Sequence, residues 1–253
     1  MKRTLLENSE LGSEYSLYGN YVVDDELKLC FPNNDIAVTK KAKGQYQFVR
    51  KSQGQELRHR ISVDSELVLT VAPITPLNLP EKKTNLLYLE FHEPLYIDKH
   101  VKTTVSVSCP IEIGIFITKQ DSSHQLLDCF ICDQSLCGFA LYGSPTEGDF
   151  TKFSETGLDS KDSPYYYGKM DITIQNNLDY AARVGKIVFD ASQQDVYYSK
   201  TDAKLDSLVM ELDKNNDKSA LVYTQNIDCP DFTLSPKIQS KNSDSFAMNE
   251  GYD

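Results

Sequence analysis

Three cysteines and a histidine lie close together in the sequence and carry side chains that bind transition metals. These residues are His124, Cys129, Cys132 and Cys137. Two thiolates in a C-x₂-C spacing, a third thiolate and an imidazole could surround zinc tetrahedrally. The residues inside the C-x₂-C are Phe130 and Ile131, however, and an apolar pair favours a strand, which would direct the two flanking thiols to opposite faces. We therefore favour core thiols over a metal site.

Motifs of the common enzyme classes do not occur in the sequence. The chain has no nucleophile elbow of the G-x-S-x-G type, no P-loop and no G-x-G-x-x-G motif. His92-Glu93-Pro94 begins like the zinc-protease motif H-E-x-x-H, but Tyr96 stands at the fifth position and Pro94 is incompatible with a helix interior. We therefore predict no catalytic residues and no cofactor.

The composition limits the classes of partner. The 253-residue chain carries a net charge of −11 and only five arginines, so nucleic acid and anionic membranes are not expected as partners. No stretch approaches the roughly 20 apolar residues of a membrane span. Glu7 and Glu10 interrupt the apolar run that a signal peptide needs. Together with six cysteines, these features favour a cytoplasmic protein with reduced thiols.

The stretch from Val105 to Ile117 is the clearest structural signal. Its odd-numbered residues are all apolar, and between them lie Ser106, Ser108 and Glu112. Such alternation predicts a half-buried strand, because successive side chains point to opposite faces. Thirteen residues are too many for an ordinary strand, and Pro110 has no N–H to donate. We predict two strands joined at Pro110, or an edge strand with a bulge there, and a polar face with no reacting group.

Similar short alternating runs recur along the chain between turn residues. Examples are Leu27 to Phe31, Leu67 to Val71 and Met170 to Ile174. Short strands at regular spacing are typical of sandwiches and barrels. We predict an all-β fold, mainly antiparallel, with a β-sandwich or jelly-roll-like architecture. It forms either one sandwich or two packed sandwiches, with little helix.

The predicted organisation has four parts. Residues 1–15 form a flexible lead-in, 16–120 a first β-sandwich half, 121–237 a second β half, and 238–253 a disordered tail with few apolar side chains. The sequence leaves open whether the two halves are separate domains. Residues 201–212 fit both a helical face and a strand, and we favour the strand.

Two stretches carry motifs that match a known family. The first runs from Pro73 to Ile117 and contains Pro-Ile-Glu-Ile-Gly at 110–114; the second is Leu-Tyr-Gly-x-Pro at 141–145, followed by Gly148. Together they resemble an archaeal family catalogued as domain of unknown function 432, over most of residues 15–235. The resemblance implies an archaeal source and no established activity, so it supplies no catalytic residues.

Two hypotheses about function remain, from different classes. The first is a non-enzymatic module that binds a protein or a small molecule through loops, with Tyr142, Gly143, Glu147 and Gly148 as the candidate residues. The second is a metal-dependent or hydrolytic enzyme with its site in a β-sandwich cleft, which needs convergent carboxylates, histidines or thiols. The lack of a catalytic motif favours the first. The sequence does not indicate the oligomeric state.

Overall fold

A computed structural model describes residues 15–144, 146–158, 164–213 and 220–238. The predicted lead-in and the predicted tail lie outside these ranges, apart from Tyr15 and Ile238. The strands are β1 (Gly19–Val23), β2 (Glu26–Phe31), β3 (Asn34–Ala42), β4 (Gln45–Ser52), β5 (Gln55–Ser62), β6 (Leu67–Ile74), β7 (Leu86–Ile97), β8 (Lys102–Pro110), β9 (Glu112–Thr118), β10 (His124–Phe130), β11 (Gly138–Tyr142), β12 (Asp149–Thr156), β13 (Tyr167–Asn176), β14 (Ala182–Asp190), β15 (Val196–Ser199), β16 (Asp202–Leu205), β17 (Ser207–Leu212), β18 (Leu221–Gln225) and β19 (Thr233–Leu234). The helical content of the described residues consists of two 3₁₀ turns, Gln134–Leu136 and Ala191–Gln193.

The strands form four sheets. Sheet I has the order β1-β6-β9-β10, sheet II the order β2-β3-β4-β5, and sheet III the order β11-β12-β7-β14. Sheet IV has the order β18-β17-β13-β16-β15-β19, with β8 paired to β13. Most pairs are antiparallel, whereas β7 with β12 and β13 with β16 and β17 are parallel. The predicted all-β, mainly antiparallel, sandwich-like fold is confirmed. Within the described residues, no helix is long and apolar enough to span a bilayer.

Two apolar clusters fill the space between the sheets. The first combines side chains of sheets I and II, such as Phe48, Leu69 and Ile115. The second combines side chains of sheets III and IV, such as Leu89 and Ile172. Each of these side chains is fully buried, which stabilises the fold by about 1.5–3 kcal/mol per residue. The chain therefore forms two sandwiches.

The strands of the two sandwiches interleave along the chain. Strand β7 belongs to sheet III and β8 belongs to sheet IV. The chain then returns to sheet I, which contains β9 and β10. The crossing falls within the stretch from Val105 to Ile117. Here β8 ends at Pro110, Ile111 donates its N–H to the Tyr166 carbonyl, and β9 begins at Glu112. The predicted break at Pro110 is confirmed, and it is the point where the chain passes between the sandwiches.

The structure corrects the expected polar face of this stretch. Ser106 is exposed as predicted, but Ser108 is buried and Glu112 is only 1% exposed. Glu112 is covered by the segment that contains Asn78 and Leu79, whose backbone N–H groups donate to its carboxylate. Ser108 lies in β8, where its carbonyl accepts a hydrogen bond from the buried Thr156 hydroxyl. The ambiguous residues 201–212 form β16 and β17, which confirms the strand.

Candidate functional site

A wide bulge in sheet III shapes a cleft on the protein surface. Glu90 of β7 pairs with Lys186 of β14, and Leu95 pairs with Val184. Residues 91–94 of β7 therefore lie opposite the single residue Gly185. Proline within a sheet is tolerated at such irregularities, because no ladder hydrogen bond is required of it. The segment His92-Glu93-Pro94, which matches only the beginning of the zinc-protease motif, is thus part of a β-bulge.

The cleft beside this bulge, called the bulge cleft below, has a volume of about 820 Å³. This lies within the usual range of ligand sites, about 300–1,000 Å³. Its polar lining includes Glu90, His92, Tyr142, Glu155, Arg183 and Lys186, and its apolar lining includes Phe91, Leu178, Met210 and Leu212. Charged groups of both signs therefore stand beside an apolar surface.

The polar groups of the bulge cleft contact one another. His92 Nε2 lies 3.7 Å from Glu155 Oε2, and both side chains are more than half exposed. The Lys186 ammonium lies 5.2 Å from the ring centroid of Tyr142 and 5.8 Å from that of Tyr88. These distances are in the range of cation–π attraction. Burial and the neighbouring carboxylate of Glu90 raise the pKa of Tyr88 above its ordinary value.

The predicted binding loop is a tight hairpin next to the bulge cleft. Tyr142 ends β11 and lines the cleft, whereas Gly143, Glu147 and Gly148 are not among the residues that line it. Gly148 donates its N–H to the Ser144 carbonyl at 2.8 Å. A Cβ at Gly148 would lie 2.6 Å from that oxygen, and Gly143 has φ of +113°. Both glycines are required by the turn, and a binding role for the four residues stays a prediction.

The metal-ligand candidates do not converge. His124 begins β10, where its Nδ1 lies 3.2 Å from Thr118 Oγ1, and Cys129 lies near the end of the same strand. Cys132 is buried in the first core cluster, and Cys137 follows a 3₁₀ turn. Burial raises the pKa of Cys129 and Cys132 to about 12 and that of Cys137 to about 11. Among the residues with described positions, no three His, Cys, Asp or Glu side chains form a metal-binding group.

A buried polar cluster, called the Leu79 clamp below, consists of Glu112, Lys152, Asn78 and Leu79. Glu112 accepts hydrogen bonds from Leu79 N at 3.0 Å, Asn78 N at 2.9 Å and Asn78 Nδ2 at 2.8 Å. Lys152 is 2% exposed and donates to the Leu79 carbonyl. Its ammonium also lies 4.5 Å from the Phe139 ring centroid. Every charged group of the clamp therefore has a partner, as burial requires.

The surroundings of Glu112 in the Leu79 clamp favour its neutral form more than water does, so both protonation states are populated near pH 7. Burial raises its pKa from 4.5 to about 7, although hydrogen bonds from Asn78 and Leu79 and the Lys152 charge act in the opposite direction. Sequence reasoning missed this cluster. The available signal was Glu112 between Ile111 and Ile113, directly after a proline at which the chain changes sheets.

Comparison with known proteins assigns most of the chain to one family. The family model described as protein of unknown function DUF432 matches residues 17–248. The chain belongs to the DUF432 family. The resemblance carried by the motifs at 110–114 and 141–145 is therefore confirmed. A search of curated proteins and a search of solved structures give no significant match. The DUF432 family model is described without an activity, so any function has to be inferred from the geometry of the cleft.

Proposed function

We propose that this DUF432 protein is a non-enzymatic binding module whose ligand occupies the bulge cleft. The observation that carries the proposal is the lining of the cleft. Lys186, Arg183 and His92 offer positive or hydrogen-bonding groups, and Glu90 and Glu155 offer carboxylates. Such a lining suits a polar ligand that carries both a donor-rich and an acceptor-rich end, with apolar contacts between them.

The composition of the lining favours binding over hydrolysis. In the described part of the chain, the cleft lining contains no serine, threonine or cysteine, so it offers no hydroxyl or thiol nucleophile of the usual kind. His92 and Glu155 form an exposed pair that could transfer protons. An enzyme that activates water in this cleft is the second candidate, and elution of a bound metal with the purified protein would support it.

The proposal also includes a cytoplasmic location and an archaeal source for the protein. Six free cysteines support a reducing compartment such as the cytoplasm, because such thiols are easily oxidised elsewhere. The net charge of −11 argues against nucleic acid as the partner. An archaeal source stays a prediction that the family resemblance implies.

A titration of the full chain tests the proposed site. The ¹⁵N-labelled protein is titrated separately with glycylglycine, glucose and adenosine monophosphate, which are zwitterionic, neutral and anionic probes. We expect at least one probe to shift amides near His92, Tyr142 and Lys186 in a saturable way. Lys186→Ala should weaken that binding, because it removes one of the two cationic side chains, Arg183 and Lys186, that line the cleft.

A matched variant controls for loss of a lysine that packs on an aromatic ring. Lys204 lies 4.5 Å from the Phe232 ring centroid and does not line the bulge cleft. Lys204→Ala should leave the titration unchanged. If all three probes leave the cleft amides unmoved, or if both variants weaken binding equally, the cleft is not the binding site.

A further inference from the structure

A second pocket, called the seam pocket below, lies where the two sandwiches meet. Its volume is about 400 Å³, which is within the usual range of ligand sites. Residues 74–85 between β6 and β7, residues 192–196 leading into β15, and residues 235–238 supply its lining. Ile74 belongs to the first core cluster and Val196 to the second. The seam pocket shares no lining residue with the bulge cleft, so it is a separate candidate site.

The charged side chains that line the seam pocket are all positive. Lys82 and Lys237 belong to its lining, and none of the described lining residues is an aspartate or a glutamate. This is unusual in a chain with 37 acidic and 26 basic residues. Lys82 is exposed and forms no ion pair with any described residue, because its sequence neighbour Glu81 pairs with Lys83 at 3.6 Å. A lining with ammonium groups alone favours an anionic ligand.

The carboxylates that contact lining residues lie outside the lining and have partners of their own. Asp195 Oδ1 lies 2.6 Å from the Lys237 ammonium. Asp190 accepts hydrogen bonds from the Ser192 N–H at 2.9 Å and from the Ser192 hydroxyl at 2.6 Å, and Glu112 belongs to the Leu79 clamp. Lys237 is therefore partly neutralised by Asp195, whereas the charge of Lys82 is available to a ligand.

Uncharged polar groups complete the lining of the seam pocket. They belong to Thr75, Asn78, Asn85, Ser192, Gln194 and Ser235. Gln194 is only 3% exposed, and its Nε2 donates to Thr224 Oγ1 at 2.8 Å, but its Oε1 has no hydrogen-bond partner in the described part of the chain. A buried acceptor without a donor is destabilising, and a ligand hydroxyl would supply that donor. The lining therefore suits an anion that also carries hydroxyl groups.

We propose that the seam pocket binds a small phosphorylated compound with hydroxyl groups, of the sugar phosphate class. The phosphate pairs with Lys82 and Lys237, since lysine is a common partner of phosphate groups. A hydroxyl of the same ligand donates to Gln194 Oε1. The site is additional to the bulge cleft and does not depend on the proposed function.

Three related compounds test the proposal. The full-length ¹⁵N-labelled protein is titrated at constant ionic strength with glucose 6-phosphate, with inorganic phosphate and with glucose. We expect glucose 6-phosphate to shift the amides of Lys82, Gln194 and Lys237 in a saturable way. Inorganic phosphate should shift the same amides with lower affinity, and glucose should not shift them, because only glucose 6-phosphate carries both the anion and the hydroxyl groups.

Removal of one lysine provides the second arm. Lys82→Ala should weaken glucose 6-phosphate binding about tenfold, as expected for the loss of one hydrogen bond to a charged group. Lys41→Ala is the matched control, because it removes the same charge from an exposed position of β3 in sheet II, and it should leave the affinity unchanged. Both lysines are exposed, so both variants should fold, which thermal unfolding verifies.

The outcomes separate this proposal from the proposed function. If neither phosphate compound shifts the amides of the seam pocket, or if Lys82→Ala and Lys41→Ala change the affinity equally, the proposal is wrong. Equal affinities for inorganic phosphate and glucose 6-phosphate would exclude the sugar phosphate class. Lys186→Ala, which alters the bulge cleft, should leave glucose 6-phosphate binding at the seam pocket unchanged, so each site can fail without the other.

Discussion

Glu112 and Lys152 belong to different sandwiches and form hydrogen bonds to the backbone of the same residue, Leu79. Glu112 in sheet I accepts the Leu79 N–H at 3.0 Å, and Lys152 in sheet III donates to the Leu79 carbonyl. Both side chains are at least 98% buried. The segment between β6 and β7 is therefore fixed by charged groups rather than by apolar packing alone, which makes its stability sensitive to protonation.

The contribution of Glu112 to the stability of the protein should fall as the pH rises from about 5 to about 7. Burial raises the pKa of Glu112 from 4.5 to about 7, so the folded state binds the proton more tightly than the unfolded state. The contribution of the protonated group is full below about pH 4.5 and is lost as the pH rises through 7, with a total of about 3 kcal/mol. Urea unfolding at pH 5, 6, 7 and 8 measures it.

Glu112→Gln isolates this effect. The amide cannot titrate, so the difference in unfolding free energy between the wild-type protein and the variant should change by about 2.5 kcal/mol between pH 5 and pH 8. Contributions of other titrating groups cancel in the difference. A difference that does not vary with pH would show that Glu112 titrates normally.

Loss of the Lys152 ammonium should destabilise the fold strongly. Lys152→Met leaves the Leu79 carbonyl without its donor and removes the Lys152 charge that acts on Glu112, at a cost of about 3 kcal/mol. The cost should be smaller in the Glu112→Gln background, because the two groups interact. Lys41→Met, at an exposed lysine of β3, should cost less than about 0.5 kcal/mol. Additive costs in the double variant would contradict the clamp.

Two arginines of sheet II should differ in their effect on stability. Arg50 joins sheet II to sheet I through Asp128, with Nε–Oδ2 at 2.6 Å and Nη2–Oδ1 at 3.3 Å, and the side chains are 18% and 6% exposed. Arg58 pairs with Glu56 at the surface. Arg50→Met should cost about 3 kcal/mol because it leaves a buried carboxylate unpaired. Arg58→Met should cost less than about 1 kcal/mol, and equal losses in thermal unfolding would refute this ranking.

Gly148→Ala should destabilise the hairpin beside the bulge cleft. The added methyl would lie 2.6 Å from the Ser144 carbonyl oxygen and 2.8 Å from that of Tyr142, both backbone atoms, at a cost of about 2 kcal/mol. Gly138 starts the same hairpin and has open space at its Cβ position. Gly138→Ala should therefore be nearly neutral in urea unfolding, and a similar loss in both variants would argue against the steric explanation.

The predicted halves should not fold independently. Residues 121–237 lack β7 and β8, which supply Leu89, Val107 and other members of the second core cluster. We expect neither 16–120 nor 121–237 to unfold cooperatively alone, and we expect a mixture of the two to regain near-ultraviolet circular dichroism. Cooperative urea unfolding of each fragment by itself would establish two domains divided near residue 120.

The strands and the family could be predicted from the sequence, whereas the candidate sites could be predicted only in part. The alternation of Met170, Ile172 and Ile174 correctly predicted β13, and Pro110 correctly predicted the end of β8. Tyr142 was placed in a candidate binding loop, and it does line the cleft. His92 was rejected as a metal ligand because Pro94 and Tyr96 depart from the zinc-protease motif. Its position near Glu155 could not be predicted, because it depends on the pairing of β7 with the distant strands β12 and β14.

The sequence by itself determined the local structure of this protein: which residues alternate, where proline interrupts the chain, and that the family is DUF432. The tertiary structure alone decided which strands share a sheet, and with it the burial of Glu112, its contact with the Leu79 segment and the lining of the seam pocket. The physical reason is that alternation fixes the two faces of a strand, but the partner strands fix what covers each face. Glu112 has the sequence pattern of a surface residue and occupies the interior, because the Asn78–Leu79 segment, which Lys152 of sheet III also binds, covers it.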